Sequence, residues 1–248
     1  MIILSIFFLI TAILYSSVGF GGGSTYLALL LIWDTPYYIL PVIALFCNII
    51  VVTGNSVNYI RAGNHNFKLL LPFLIGSIPL AFFGGTLRIN QEIFEILLFL
   101  ILSIAGFLLL FHNKAFRDEN IIIKKINLYF SIILGSFLGL ISGVVGIGGG
   151  IFLSPILFLL KADLPKNIAT TSSLFILINS VSGVFGQFTK DNVINEFIIY
   201  WPLLLSVLIG GFLGNYLNLK ILTNRILALI TSLLVIFVAI RMGLRIFI

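Results

Sequence analysis

Two stretches of this chain run without Asp, Glu, Lys or Arg for much longer than one membrane crossing needs: residues 1–33 and 126–160. Either would make about 50 Å of straight helix, against a hydrocarbon core of about 30 Å. Each must therefore be a hairpin or a broken helix. Each also carries a glycine cluster near its middle, Gly19-Phe20-Gly21-Gly22-Gly23 and Gly146-Ile147-Gly148-Gly149-Gly150. Glycine costs about 1 kcal/mol in a helix interior and permits positive φ, so these clusters are the natural break points.

The other uncharged windows are 35–60, 69–87, 96–113, 167–189, 197–219 and 226–240. Most suit one crossing of roughly 20 residues. Charged side chains make up 9% of the 248 residues, too few to cover the surface of a water-soluble domain. The apolar content also excludes disorder. Long continuous apolar runs, rather than alternation, argue against a β-barrel. The expected fold class is an all-α polytopic membrane protein. Cys47 is the only cysteine, which excludes an intrachain disulfide and a thiolate metal cage. The net charge of +6 points to loop orientation in the membrane rather than to nucleic acid. The first apolar stretch has no basic residue before it and runs on through residue 33, so it is expected to remain in the protein rather than act as a cleaved signal.

A shift of 127 residues overlays the two glycine clusters. With small gaps, Pro36 falls on Pro165, Leu45-Phe46 on Leu174-Phe175, Thr53-Gly54 on Ser182-Gly183, Pro72 on Pro202, and Gly84 on Gly214. Self-similarity in fixed order signals duplication. The polar segment from His112 to Lys125 separates the halves. This gives a first membrane repeat at 1–112, a cytoplasmic linker at 113–126 and a second repeat at 127–248. Suppose each long window crosses an even number of times. Loops 61–68, 112–125, 161–166 and 218–225 then share a side and hold ten of the 14 Lys and Arg residues. The positive-inside rule makes that side cytoplasmic and puts both termini outside. Each repeat then has a glycine-broken hairpin plus three transmembrane helices, and the second is inverted relative to the first. Secondary transporters recurrently use this plan, with the substrate near the midplane where broken helices meet. The expected location is the inner cell membrane, multi-pass.

Several phrases carry a resemblance. They are Ser17-Val18-Gly19-Phe20-Gly21-Gly22-Gly23, its counterpart from Ser142 to Gly150, and Ala169-Thr170-Thr171-Ser172-Ser173-Leu174-Phe175 followed by Asn179-Ser180-Val181-Ser182-Gly183. With these the chain resembles the TauE/SafE, or sulfite exporter, family over nearly its whole length. The resemblance implies transport of a small sulfur-containing anion of the sulfite, thiosulfate or organosulfonate class. The first half departs from the second, with Leu40-Pro41-Val42-Ile43-Ala44 in place of the hydroxyl-rich phrase, so the site is expected to be asymmetric.

The candidate substrate site starts from the glycine breaks. A helix that begins inside the membrane offers unpaired N–H groups and about half a positive charge at its N-terminus, and glycine lets an anion approach them. Gly21, Gly22, Gly23, Ser24 and Thr25 supply this in the first half, with Ser24 as a cap or a ligand. Gly148, Gly149 and Gly150 supply it in the second. The same glycines also suit a tight reversal or close helix packing. The following helices add Asn48, Thr53 and Asn55, and Thr171, Ser172, Ser173, Asn179 and Ser182. In lipid such groups should face inward, to bind ligand or to bond between helices.

No cofactor is expected, and His65 and His112 lack a second ligand in any metal-binding pattern. The uncharged windows hold no nucleophile with a base and no paired carboxylates, so an enzyme is not expected. The expected partners are a small anionic substrate and the lipid bilayer, with no nucleic acid; the oligomeric state stays open. A passive anion channel built on the same helix ends is the alternative to a carrier.

Overall fold

The computed structural model describes residues 1–112, 123–190 and 193–218, with single positions at 236, 240 and 243. Among these residues the chain is helical, with no strand. The helices are α1 (Ile2–Val18), α2 (Gly23–Ile32), α3 (Leu40–Arg61), α4 (Phe67–Thr86), α5 (Gln91–His112), α6 (Leu128–Val145), α7 (Gly150–Leu159), α8 (Pro165–Gln187), α9 (Val193–Phe197) and α10 (Trp201–Asn218). The short α9 and the 3₁₀ turn after it, Ile198–Tyr200, are additions to the expected segments. Most of the linker 113–126 and of the last window, 226–240, lies outside the described residues.

Helices α3, α4, α6 and α8 and the stretch from Ile198 to Tyr216 are each long and apolar enough to cross a membrane. The protein is a multi-pass membrane protein. Helices α2 and α7 have ten residues each, about 15 Å, or half a bilayer. The long windows are thus broken where the glycines fall. After each short helix the chain turns through a left-handed residue, Asp34 or Lys161, both with φ 52°.

Each long window folds back to the side on which it began. In the first, the Phe7 and Trp33 rings stand 5.8 Å apart, which brings the start of α1 to the end of α2. In the second, the Lys124 amide donates to the Lys161 carbonyl at 3.0 Å. Asn66 Nδ2, from the α3–α4 loop, donates to Asp163 on the same side at 2.6 Å. At the opposite end, the loops around Tyr38, Arg88 and Lys190 meet in one cleft.

Helix partners are exchanged between the halves. Helix α4 packs along α6, and α10 along α1; α3 lies against α8, while α2 rests on α3 as α7 rests on α8. Small residues make the close contacts. A Cβ on Gly135, Gly139 or Gly143 of α6 would run into the backbone of Phe73, Ser77 or Ala81 of α4. Gly210 and Gly214 of α10 meet the Leu9 and Ile13 carbonyls of α1 in the same way. In lipid, where apolar burial between helices gains little, such backbone approach is what holds helices together.

Candidate functional site

The two breaks are built alike. Helix α1 ends on Gly19 at φ 87° and α6 on Gly146 at φ 90°, both left-handed. Three residues later, Gly22 at φ 81° and Gly149 at φ 74° form the N-caps of α2 and α7. An L side chain at these positions would cost roughly 1–2 kcal/mol, so glycine is the residue that fits. Helix α2 then opens with the N–H groups of Gly23 and Ser24, and α7 with those of Gly150 and Ile151. These have no acceptor inside their own helix, so each break presents a positive end.

The fold brings the two breaks together around Asn48 of α3 and Ile176 of α8. A Cβ on Gly23 would stand 2.7 Å from Asn48 Nδ2 and 3.0 Å from the Ile147 carbonyl. One on Gly148 would stand 2.9 Å from Asn48 Nδ2, 2.8 Å from Ile176 and 3.2 Å from Ser180 Oγ. Gly21 abuts both Asn48 and Ile176, and Gly150 abuts Ile176 with the Ser172 carbonyl at 2.9 Å from its Cβ position. Asn48 is fully buried; its Nδ2 donates to the Gly146 carbonyl at 3.4 Å, and its Oδ1 has no partner. Beside this junction, Tyr15, Phe20, Ser24, Ile147 and Ile176 line a cavity of about 10 Å³, about the space of one water.

The other predicted residues divide into two groups, with Thr53 apart. Ser24 stays in the junction: α2 has no side-chain cap, and Ser24 Oγ is buried beside the Tyr15 hydroxyl with no partner of good geometry. The capping role for Ser24 is therefore set aside. Thr25 Oγ1 is bonded to Tyr15 Oη at 2.7 Å and ties α2 to α1. Thr171 and Ser172 are buried with unpartnered hydroxyls, as is Ser180. Asn179 donates from Nδ2 to the Phe175 carbonyl at 2.8 Å, leaving its buried Oδ1 unpartnered.

A second group bonds between helices. Ser56 Oγ donates to Ser173 Oγ at 3.4 Å, between α3 and α8. Asn55 Oδ1 accepts from Ser16 of α1 at 3.5 Å, and its Nδ2 is unpartnered. Ser182 donates to the Ile78 carbonyl of α4 at 2.7 Å. Thr53 belongs to neither group. It is exposed and donates back to the Ile49 carbonyl at 2.6 Å, so the structure does not bring it to the junction.

Sequence reasoning missed Ile176 and Tyr15. Ile176 is one apolar residue among many, with no chemical signal to single it out. Tyr15 lies four residues before Gly19, and only its hydroxyl in an uncharged window could have drawn attention.

The model of the sulfite exporter TauE/SafE family matches residues 3–242. The chain belongs to the TauE/SafE family. A probable membrane transporter protein, y4hK, of Sinorhizobium fredii is 28% identical over 235 residues, which is 93% of each chain. The probable membrane transporter protein MJ0441 of Methanocaldococcus jannaschii is 27% identical over 91% of this chain and 89% of its own. YunE of Bacillus subtilis, also a probable membrane transporter protein, is 25% identical over 94% of each chain. No solved structure matches. The protein is a membrane transporter of the TauE/SafE family.

Proposed function

We propose that this transporter carries a small sulfur-containing anion, a sulfite-, thiosulfate- or organosulfonate-like oxyanion, by alternating access. The substrate binds where the two glycine breaks meet. The observation that supports this most is the convergence of two positive half-helix ends on one buried amide, Asn48, whose carbonyl oxygen has no partner. The two halves act as inverted repeats about that point. The exchanged pairing of α1 with α10 and of α4 with α6, and the return of each long window to its own side, agree with this plan. The ten-to-four bias of Lys and Arg then sets both termini outside the inner membrane.

Neutral donors suit such an anion, since a fixed cation at the midplane would hold it too tightly to release. The cavity at the junction holds no more than about one water, which supports a carrier over an open channel. Reconstitution in liposomes tests this. Labelled sulfite, thiosulfate and taurine are supplied with and without unlabelled anion inside. Saturable uptake accelerated by internal anion supports the carrier. Uptake without counterflow indicates the passive channel, and no anion flux at all overturns the reading.

A further inference from the structure

Ile176 of α8 stands where the two glycine breaks converge. Its Cγ2 lies 3.2 Å from where a Gly21 Cβ would stand and 2.8 Å from where a Gly148 Cβ would, and its side chain also abuts Gly150. Two polar groups face that same Gly148 position, Asn48 Nδ2 at 2.9 Å and Ser180 Oγ at 3.2 Å. Ser172 comes four residues before Ile176 and Ser180 four after, so all three share one face of α8. The two serines are about 12 Å apart along the helix. Both of their hydroxyls are buried without a partner. So is the hydroxyl of Ser24, which lines the same small cavity as Ile176.

We infer that Ile176 is the specificity-determining residue of the passage: its side chain stops the gap between Ser180 and Ser172, and only an anion able to take its place goes through. The inference rests on the junction being the path of the anion, as proposed above. Buried polar groups are normally bonded, so three unpartnered hydroxyls around one isoleucine need an explanation. An apolar side chain cannot bond them, and the cavity beside it has space for about one water.

An oxyanion can bond them. Its several oxygens accept from the serine hydroxyls, the Asn48 amide and the half-helix N–H groups at once, which offsets the loss of its water and the displacement of Ile176. Chloride has a single acceptor centre and gains less from the same donors. A hydrophobic constriction turns such a hydrated ion back by failing to wet. Ile176 thus discriminates by the number of bonds an anion can make, without any charged group at the junction.

The test is chloride leak from liposomes that hold the purified full-length protein, read by an enclosed chloride-sensitive dye beside uptake of labelled sulfite. Ile176→Ala is expected to raise the leak at least about tenfold per folded molecule, by letting the gap wet. Ile176→Val, and Leu177→Ala one residue along, are expected to leak like the wild type. A folded Ile176→Ala that leaks no more than the wild type overturns the inference. An equal leak from Leu177→Ala does so too, since it would mean general loosening. Should Ile176→Ala not be recovered folded by size exclusion, Ile176→Thr decides against Ile176→Val. The two side chains have one shape, so a greater leak through threonine supports the barrier, and an equal leak makes Ile176 a space-filler and overturns it. The chloride readout does not depend on the substrate, which keeps the two readings apart. Leak through Ile176→Ala with no sulfite, thiosulfate or taurine flux in the wild type supports the barrier and overturns the substrate class. Oxyanion flux in the wild type with no leak through a folded Ile176→Ala overturns the barrier and leaves the junction standing.

Discussion

Asn48 Nδ2 donates to the Gly146 carbonyl across the seam between the two halves, while Asn48 Oδ1 stays buried and unpaired. The bond is long, at 3.4 Å, so it contributes little as a clamp. The lone Oδ1 costs stability, about 1–3 kcal/mol for a buried acceptor without a partner. A group kept at such a cost, between two positive helix ends, fits an exchange of bonds with a ligand.

Asn48→Leu separates this role from a structural one. It removes the unpaired acceptor and keeps the volume. Thermal stability in detergent should stay the same or rise, while uptake of the labelled anion falls at least about tenfold, or about 1.4 kcal/mol. A less stable variant with normal uptake per folded molecule would make Asn48 a packing residue.

The glycines of each break do two different jobs. Gly22 and Gly149 hold left-handed φ, and a Gly149 Cβ would also press on Phe175 at 2.9 Å. Gly22→Ala and Gly149→Ala should each lower stability by roughly 1–2 kcal/mol through the backbone alone. Gly23 needs no unusual φ; its missing Cβ leaves room beside Asn48. Per folded molecule, Gly23→Ala should reduce transport more than Gly22→Ala does. Parallel size-exclusion recovery and uptake assays give both numbers, and the reverse ranking would remove the junction as the site.

The loop groupings predict accessibility. Cys47 is buried, so it leaves a quiet background for single-cysteine labelling. Cysteine at Asn64 should react from the cytoplasmic side with that at Asn120, and cysteine at Asn90 from the outside with that at Asn192. Outside labelling at Asn64 would refute the orientation.

The α4–α6 seam depends on Gly139, where a Cβ would stand 2.6 Å from Ser77 Cα. Gly139→Val should push the helices apart and cost about 1–3 kcal/mol or more, as overpacking does. Melting of the variant against Gly63→Ala checks this, since Gly63 has open space around it. Gly63 has its own positive φ of 74°, so only a loss beyond that of Gly63→Ala counts for the seam.

The breaks were legible because two windows were too long for the bilayer and the glycines sat at their centres. Asn48 stood out because an amide in an uncharged window has to be placed somewhere inside. Thr53 looked the same from the sequence, yet five residues further along α3 it faces outward and satisfies itself on Ile49. Helical periodicity in a uniformly apolar segment does not say which face is inner. The cleft was hidden for another reason. Arg88 and Lys190 are about a hundred residues apart and read only as two charges on the sparser side. Only the return of each long window to its own side puts them in one wall.

Lys190 makes stability depend on pH in a defined direction. Its pKa is about 8 in the folded protein and close to 10.5 when unfolded. Below about 8 the lysine is charged in both states, and the folded state bears the full penalty of a charge that is partly buried beside Arg88. Between about 8 and 10.5 the unfolded chain holds the proton and the folded one has released it, so stability rises with pH across that window. Melting temperatures in detergent should therefore climb through this range because of Lys190, and Lys190→Met should flatten that part of the climb. A wild-type profile identical to that of Lys190→Met would mean that Lys190 titrates as an ordinary surface lysine.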